Sequence, residues 1–269
     1  MTSARQLLAA YDEQLRSRPD APSALAIDAH GPLWLVKYDG GRGFVTYRDL
    51  GGADAEGVQR LVAEALAHYR EDPAIDRVDW KTRGHDHAPG LHEALLDQGF
   101  VPDEPEAIMI GSAESLAVDV PLPDGVELHE VADDADLQAF CRLQATVFDI
   151  EVPPMLQALQ GRLAVDPLME VWVAEAGGQV VSGGRLEPVA GTDFAGIWGG
   201  ATSREWRGRG IYRALTAARA RSALRRGMTL INSDSTEYSR PILERYGFTK
   251  VSTTTPYRLS LEAVPDQSS

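Results

Sequence analysis

The sequence predicts an α/β fold of the α+β kind, with a mixed, mostly antiparallel central sheet flanked by helices and built as two similar halves. Three observations predict it. Strand-like runs are interleaved with segments of helical period. Glycine-rich turns at Asp39-Gly40-Gly41 and Gly177-Gly178 close hairpins, which makes the strands beside them antiparallel. Leu95-Leu96-Asp97-Gln98-Gly99-Phe100 and Leu243-Glu244-Arg245-Tyr246-Gly247-Phe248 each end a helix on Gly-Phe and lead into a strand, an internal echo.

The elements follow in order. Ser3 with Gln6 three residues on is a helix start, and Leu7, Leu8, Tyr11 and Leu15 continue it at helical spacing. Residues 33–38 and 43–47 read as strands. A helix over 54–70 presents Val58, Leu61, Val62, Ala65 and Leu66 on one face. A strand near 78–82, a short helix near 90–97 and a strand near 106–111 close the first half. Pro121-Leu-Pro-Asp-Gly125 interrupts regular pairing and marks a boundary, giving domains 1–120 and 121–269. The second half reads as strand 126–130, helices 134–147 and 154–164, and strands 170–176, 179–188 and 193–201. A glycine-rich turn, a helix over 210–226, a strand at 228–233, a helix at 239–246 and a strand at 248–260 complete it.

Composition narrows the function classes. The 269 residues carry a formal charge of −14, which disfavours nucleic acid or an anionic membrane as partner. Cys141 is the only cysteine, as suits a reducing cytoplasm, and among apolar neighbours it reads as a small buried hydrophobe. No apolar run is long enough for a signal peptide or a membrane span. His85-Asp86-His87 lacks a third ligand at metal spacing, so no metal site is expected.

Against this acidic background, residues 204–226 hold eight arginines and one acid. A basic island of this kind points to a local anionic ligand. Arg219, Arg221, Arg225 and Arg226 read as a solvated helix face. Arg207-Gly208-Arg209-Gly210 does not, because glycine there weakens a helix unless the backbone needs freedom or close approach. A strand, a glycine turn and a helix N-terminus together make an anion cradle. A P-loop is excluded, since no Gly-Lys-Ser or Gly-Lys-Thr step occurs.

Thr202-Ser-Arg-Glu-Trp-Arg-Gly-Arg-Gly-Ile211 resembles the GNAT superfamily of acyl-coenzyme-A-dependent N-acyltransferases. The family signature, Gln/Arg-x-x-Gly-x-Gly/Ala, lies where its fourth strand turns into its third helix. Arg207 and Gly210 match the first and fourth positions, and Tyr212 stands at the sixth, where Gly or Ala is usual. The order of elements from Val126 to Leu261 fits the family, and the first half resembles a degenerate copy without this turn.

The resemblance implies acetyl-CoA as co-substrate. Its pyrophosphate would meet the backbone around Arg207, Gly208, Arg209, Gly210, Ile211 and Tyr212, and its pantetheine arm would run beside Gly200, Ala201 and Thr202. It also implies an amine-bearing acceptor, a small molecule or a peptide, in a cytoplasmic enzyme for which a homodimer is open. The family's usual tyrosine falls at Leu243, which cannot donate a proton, and its usual asparagine is replaced by Thr236. Ser239, Tyr238 and Tyr246 are the hydroxyls left to serve as acid. Asp234, Glu237 or Glu187 is left as base, or a chain of waters; Ser239 and Asp234 are the catalytic candidates. A non-catalytic acyl-CoA sensor, or a protein whose basic helix docks an acidic partner, are the competing readings.

Overall fold

The computed structural model describes residues 2–17, 19 and 21–261. Helix α1 (Ala4–Leu15) starts on the expected capping box of Ser3 and Gln6. Strands β1 (Ala24–His30), β2 (Leu33–Tyr38) and β3 (Arg42–Tyr47) precede α2 (Ala55–Arg70), β4 (Arg77–Arg83), α3 (Leu91–Asp97), the two-residue β5 (Val101–Pro102), β6 (Glu106–Ser112) and the single turn α4 (Ala113–Leu116). Next come β7 (Val126–Glu130), α5 (Asp134–Phe148), α6 (Val152–Val165), β8 (Glu170–Ala176), β9 (Gln179–Pro188) and β10 (Phe194–Thr202). The chain then forms α7 (Ile211–Arg225), β11 (Leu230–Ser235), α8 (Arg240–Tyr246) and β12 (Thr249–Ser260). Three of these elements, β1, β5 and α4, are absent from the sequence reading. β1 escapes it because it buries no continuous face, and Leu25 is 72% exposed.

The residues form two compact units, one up to Ala107 together with the chain from Val251 onward, the other Ile108–Lys250. This division differs from a cut at Pro121. Hydrogen-bond partners decide it rather than chain neighbours: β12 forms a long antiparallel ladder with β4, whereas β6 pairs with β11.

In the first unit the strand order is β1-β2-β3-β4-β12, with β5 on β12. β1, β2 and β3 are antiparallel, and β3 and β4 are parallel, connected through α2. Val58, Val62 and Ala65 of α2 meet Leu35, Val45 and Trp80 of the sheet in one core. Tyr69 lies flat over Gly43, where a Cβ would collide with its ring, and its hydroxyl donates to the carbonyls of Val36 and Phe44. Arg16, just past α1, donates to the carbonyls of Tyr47 and Arg48 and to the carboxylates of Asp12 and Asp86, both at 2.8 Å. His85 joins this network between Asp12 and Ser252.

Burial opposes the charge on Asp12, but hydrogen bonds from His85 and Arg16, and their charge, outweigh it and hold its pKa below the usual carboxylate value. A depressed carboxyl contributes stability above its unfolded pKa and loses it as pH falls through the folded one. Asp12→Asn is therefore expected to flatten the loss of stability below about pH 4, read from thermal melts between roughly pH 5 and 2.

The second unit has strand order β6-β11-β10-β9-β8-β7. Here β8, β9 and β10 are antiparallel, and β10 and β11 are parallel, connected through α7. Antiparallel, antiparallel, parallel is also the pairing of β1 to β4. The Gly-Phe endings match as well. Gly99 and Gly247 both have positive φ, and the amides of Phe100 and Phe248 bond back to the carbonyls of Leu95 and Leu243. Alternation along β8 gives Val171 and Val173 to a core with Phe140, Cys141 and Leu159 of α5 and α6. Ala174 instead joins Ile211 and Leu215 of α7 on the opposite face. Alanines at 214, 217, 218, 220 and 223 are buried, so α7 is thin enough to press close to the strands.

Candidate active site

The site begins where β10 loses its neighbours. Its parallel pairing with β11 stops at Gly196–Asn232, and its register with β9 slips between Trp198 and Ala201. Gly199 makes the slip possible: its φ of +59° is the left-handed region that glycine tolerates. The Gln144 side-chain amide on α5 holds the Gly199 carbonyl, and Ser182 fixes the strand again by donating to the Ala201 carbonyl. Ser203 then ties the chain to the Val181 carbonyl through both its amide and its hydroxyl.

A turn of 3₁₀ helix at Arg204–Trp206 leads to Gly208 and Gly210, with φ of +74° and +81°. Gly210 is the N-cap of α7 and offers no side chain, so no N-cap side chain closes the first-turn N–H groups. Open amides at the start of a 15-residue helix carry the positive end of its dipole. Arg207 folds back so that its Nε donates to the Thr202 carbonyl at 3.0 Å, fastening the turn to the strand end. Arg209 lies over the Trp206 ring, 4.8 Å from its centroid. The structure thus brings Gly200, Ala201, Thr202, Arg207, Gly208, Arg209, Gly210, Ile211 and Tyr212 into one continuous strand–turn–helix segment.

The arginine face needs correction. Arg225 is exposed, but Arg219 is fully buried, and Arg226 holds the buried carboxylate of Glu170. Gly184 has no side chain, and the Arg219 guanidinium fills that space, donating to the Arg185 carbonyl. Burial pushes the pKa of Arg219 down. Tyr212 packs its ring against Gly200 and stands 5.8 Å from the Arg219 guanidinium.

Leu243 is buried in the core. Ser239 sits at the N-cap of α8 but makes no capping bond; its hydroxyl is engaged with Thr236. Ser239→Ala is therefore expected to leave the melting temperature nearly unchanged, short of the roughly 1 kcal/mol that loss of a capping side chain costs. Asp234 is half-buried on β11, and Glu187 is clamped by Arg162 at 2.6 Å and Arg185 at 2.9 Å. Tyr238 is 79% exposed, and the Tyr246 ring lies tilted beside that of Tyr212, their centroids 6.3 Å apart. Cys141 is buried as expected, and burial pushes its thiol pKa up. Among the described residues, His129, Asp136 and Glu175 form one half-buried cluster of possible metal ligands, and none of them belongs to the strand–turn–helix segment.

Sequence reasoning missed Gln144, Arg185 and Asn232. The signal for Asn232 was present: Asn232-Ser-Asp-Ser235 is a polar run in a strand where Asn232, Ser233 and Ser235 are all buried.

Residues 132–264 match the family described as Acetyltransferase (GNAT) domain. The chain carries a GNAT domain. No curated protein matches the chain. Among solved structures, a GCN5-related N-acetyltransferase from Kribbella flavida is similar over 98% of this chain and 97% of its own, at 16% identity and TM-score 0.69. A GCN5-related N-acetyltransferase from Sphaerobacter thermophilus is similar over 96% and 91%, at 17% identity and TM-score 0.59. A tandem GNAT protein from the clavulanic acid biosynthesis pathway covers 89% of this chain and 84% of its own, at 18% identity and TM-score 0.62. At these identities the likeness is one of fold. The mixed, mostly antiparallel sheet flanked by helices is the GNAT architecture, and no helix of the described residues is long and apolar enough to cross a membrane.

Proposed function

We propose that the GNAT domain moves an acetyl or similar acyl group from acetyl-CoA to an amine of a small-molecule or peptide acceptor, by direct attack on the thioester. One observation carries the reading: the uncapped, arginine-flanked N-terminus of α7 lies one turn along the chain from a strand that has parted from β11 and slips its register on β9 at Gly199. The open amides fit a pyrophosphate. The freed backbone near Gly199 fits the thioester carbonyl, whose developing oxyanion an N–H would stabilise. Positioning of a neutral amine supplies the rest. A thiol with a pKa of about 8.5 is a tolerable leaving group at neutral pH, so the missing tyrosine at Leu243 slows transfer rather than abolishing it.

The first half fits a degenerate GNAT-like copy. It repeats the strand pairing, but the N-terminus of α2 is closed by its own Asp54 carboxylate, which accepts from the Gly57 amide at 2.8 Å. A carboxylate in that place competes with and repels an anionic ligand.

Calorimetric titration with acetyl-CoA should give one site per chain, and two sites would contradict the degenerate first half. Thiol release across polyamines, aminoglycosides, amino acids and peptides then tests transfer. Binding without release for any amine would favour the acyl-CoA sensor, a reading that buried Leu243 supports.

A further inference from the structure

Side chains at paired positions share a face of a sheet. Trp198 of β10 opposes Arg185 of β9, and Gly196 lies between Glu187 of β9 and Asn232 of β11. All four side chains therefore point to the face covered by α5 and α6. The Trp198 indole lies over Gly196, between Glu187 and Asn232, and Arg185 Nη1 lies over Gly199. Both are spaces a Cβ would fill.

Two features of this group have no counterpart within it. Glu187 is one carboxylate shared by two guanidiniums, with Arg162 Nη2 at 2.6 Å and Arg185 Nε at 2.9 Å, so it meets Arg185 through Nε and not through the Nη side. Arg185 Nη1 is turned toward Gly199. Asp234, a second carboxylate, lies one step further along this face of β11 and is also engaged in an interaction. Asn232 is 5% exposed, and its Oδ1 has no hydrogen-bond partner among the described residues. A buried acceptor left unpaired is costly, and a donor arriving with a ligand relieves that cost.

We infer that the acceptor is an amine that also carries a carboxylate, an amino acid or a close relative. Its N–H donates to Asn232 Oδ1 and its carboxylate meets Arg185, beside the Trp198 indole. Accepting one N–H leaves the nitrogen lone pair free to be aimed at the thioester carbonyl. The inference rests on the acyl-transfer reading above and adds the acceptor class to it.

Matched amines that differ only in a carboxylate test it: ornithine against putrescine, lysine against cadaverine, and tyrosine against tyramine, each with acetyl-CoA in a thiol-release assay. The carboxylate-bearing member of at least one pair should show a kcat/KM higher by about tenfold or more, as a charge-assisted contact gives. Arg185→Gln should erase the preference with acetyl-CoA affinity unchanged, and Arg185→Lys should restore much of it. Equal or faster turnover of the decarboxylated amines in every pair would overturn the inference and leave acyl transfer standing. So would a carboxylate preference that survives in a folded Arg185→Gln protein. Release from no pair, and from no amine of the wider panel, while acetyl-CoA binds, would overturn the enzyme reading and this inference with it.

Discussion

Glu170→Ala should destabilise the second unit by about 3 kcal/mol, because removing one partner of a buried ion pair strands the other and the groups around it. Glu170 is 2% exposed at the start of β8. One carboxylate oxygen accepts from Ser222 Oγ at 2.7 Å and from Arg226 Nε at 2.8 Å, and the other accepts from the Trp172 indole N–H at 2.7 Å. Alanine removes the acceptor for all three donors and leaves a cavity under the C-terminal turn of α7. For a unit of this size the loss corresponds to a fall in melting temperature of about 6–12 °C. Glu170→Gln keeps the shape and a carbonyl acceptor, so it should lose distinctly less. Equal melting temperatures for wild type and Glu170→Ala would show that this contact does not hold α7 to β8.

Gly210→Val should weaken acetyl-CoA binding by about 5–30-fold, the range that a left-handed L-residue cost of roughly 1–2 kcal/mol sets, with a β-branched side chain at its upper end. The reason is conformational rather than steric. The nearest atom to a Cβ at Gly210 is Val120 Cγ1 at 3.9 Å, so there is room, but φ is +81°. Valine must either accept the strain, which lowers stability, or rotate the turn, which moves the first amides of α7 away from a phosphate. Calorimetry and melting of the same protein separate these outcomes. Arg225→Ala, on an exposed residue in the last turn, should change neither. Equal affinity and equal stability for wild type and Gly210→Val would remove the turn from the binding site.

Much of this was legible along the chain. The capping box at Ser3, both hairpins, the Gly-Phe helix stops and the Arg207–Gly210 turn are local features, and each was readable because its cause lies within a few residues. The order of the second half followed from them. Boundaries were less certain: the strand expected at 228–233 runs at Leu230–Ser235, because polar Asn232 to Ser235 look like a loop until their burial is seen.

The sequence by itself determined the two α/β halves, the Arg207–Gly210 turn before α7, and the absence of a hydroxyl at position 243. Only the tertiary structure decided which strand completes which unit, since ladder partners lie far apart along the chain and pair by register rather than by proximity. It alone showed that Arg219 is buried and that Ser239 bonds Thr236 instead of capping α8. It also gathered Gln144, Arg162, Arg185, Glu187, Trp198 and Asn232 from two helices and three strands onto one face. No spacing in the sequence encodes such a cluster, because its members are neighbours only through the pleat of the sheet and the helices packed across it.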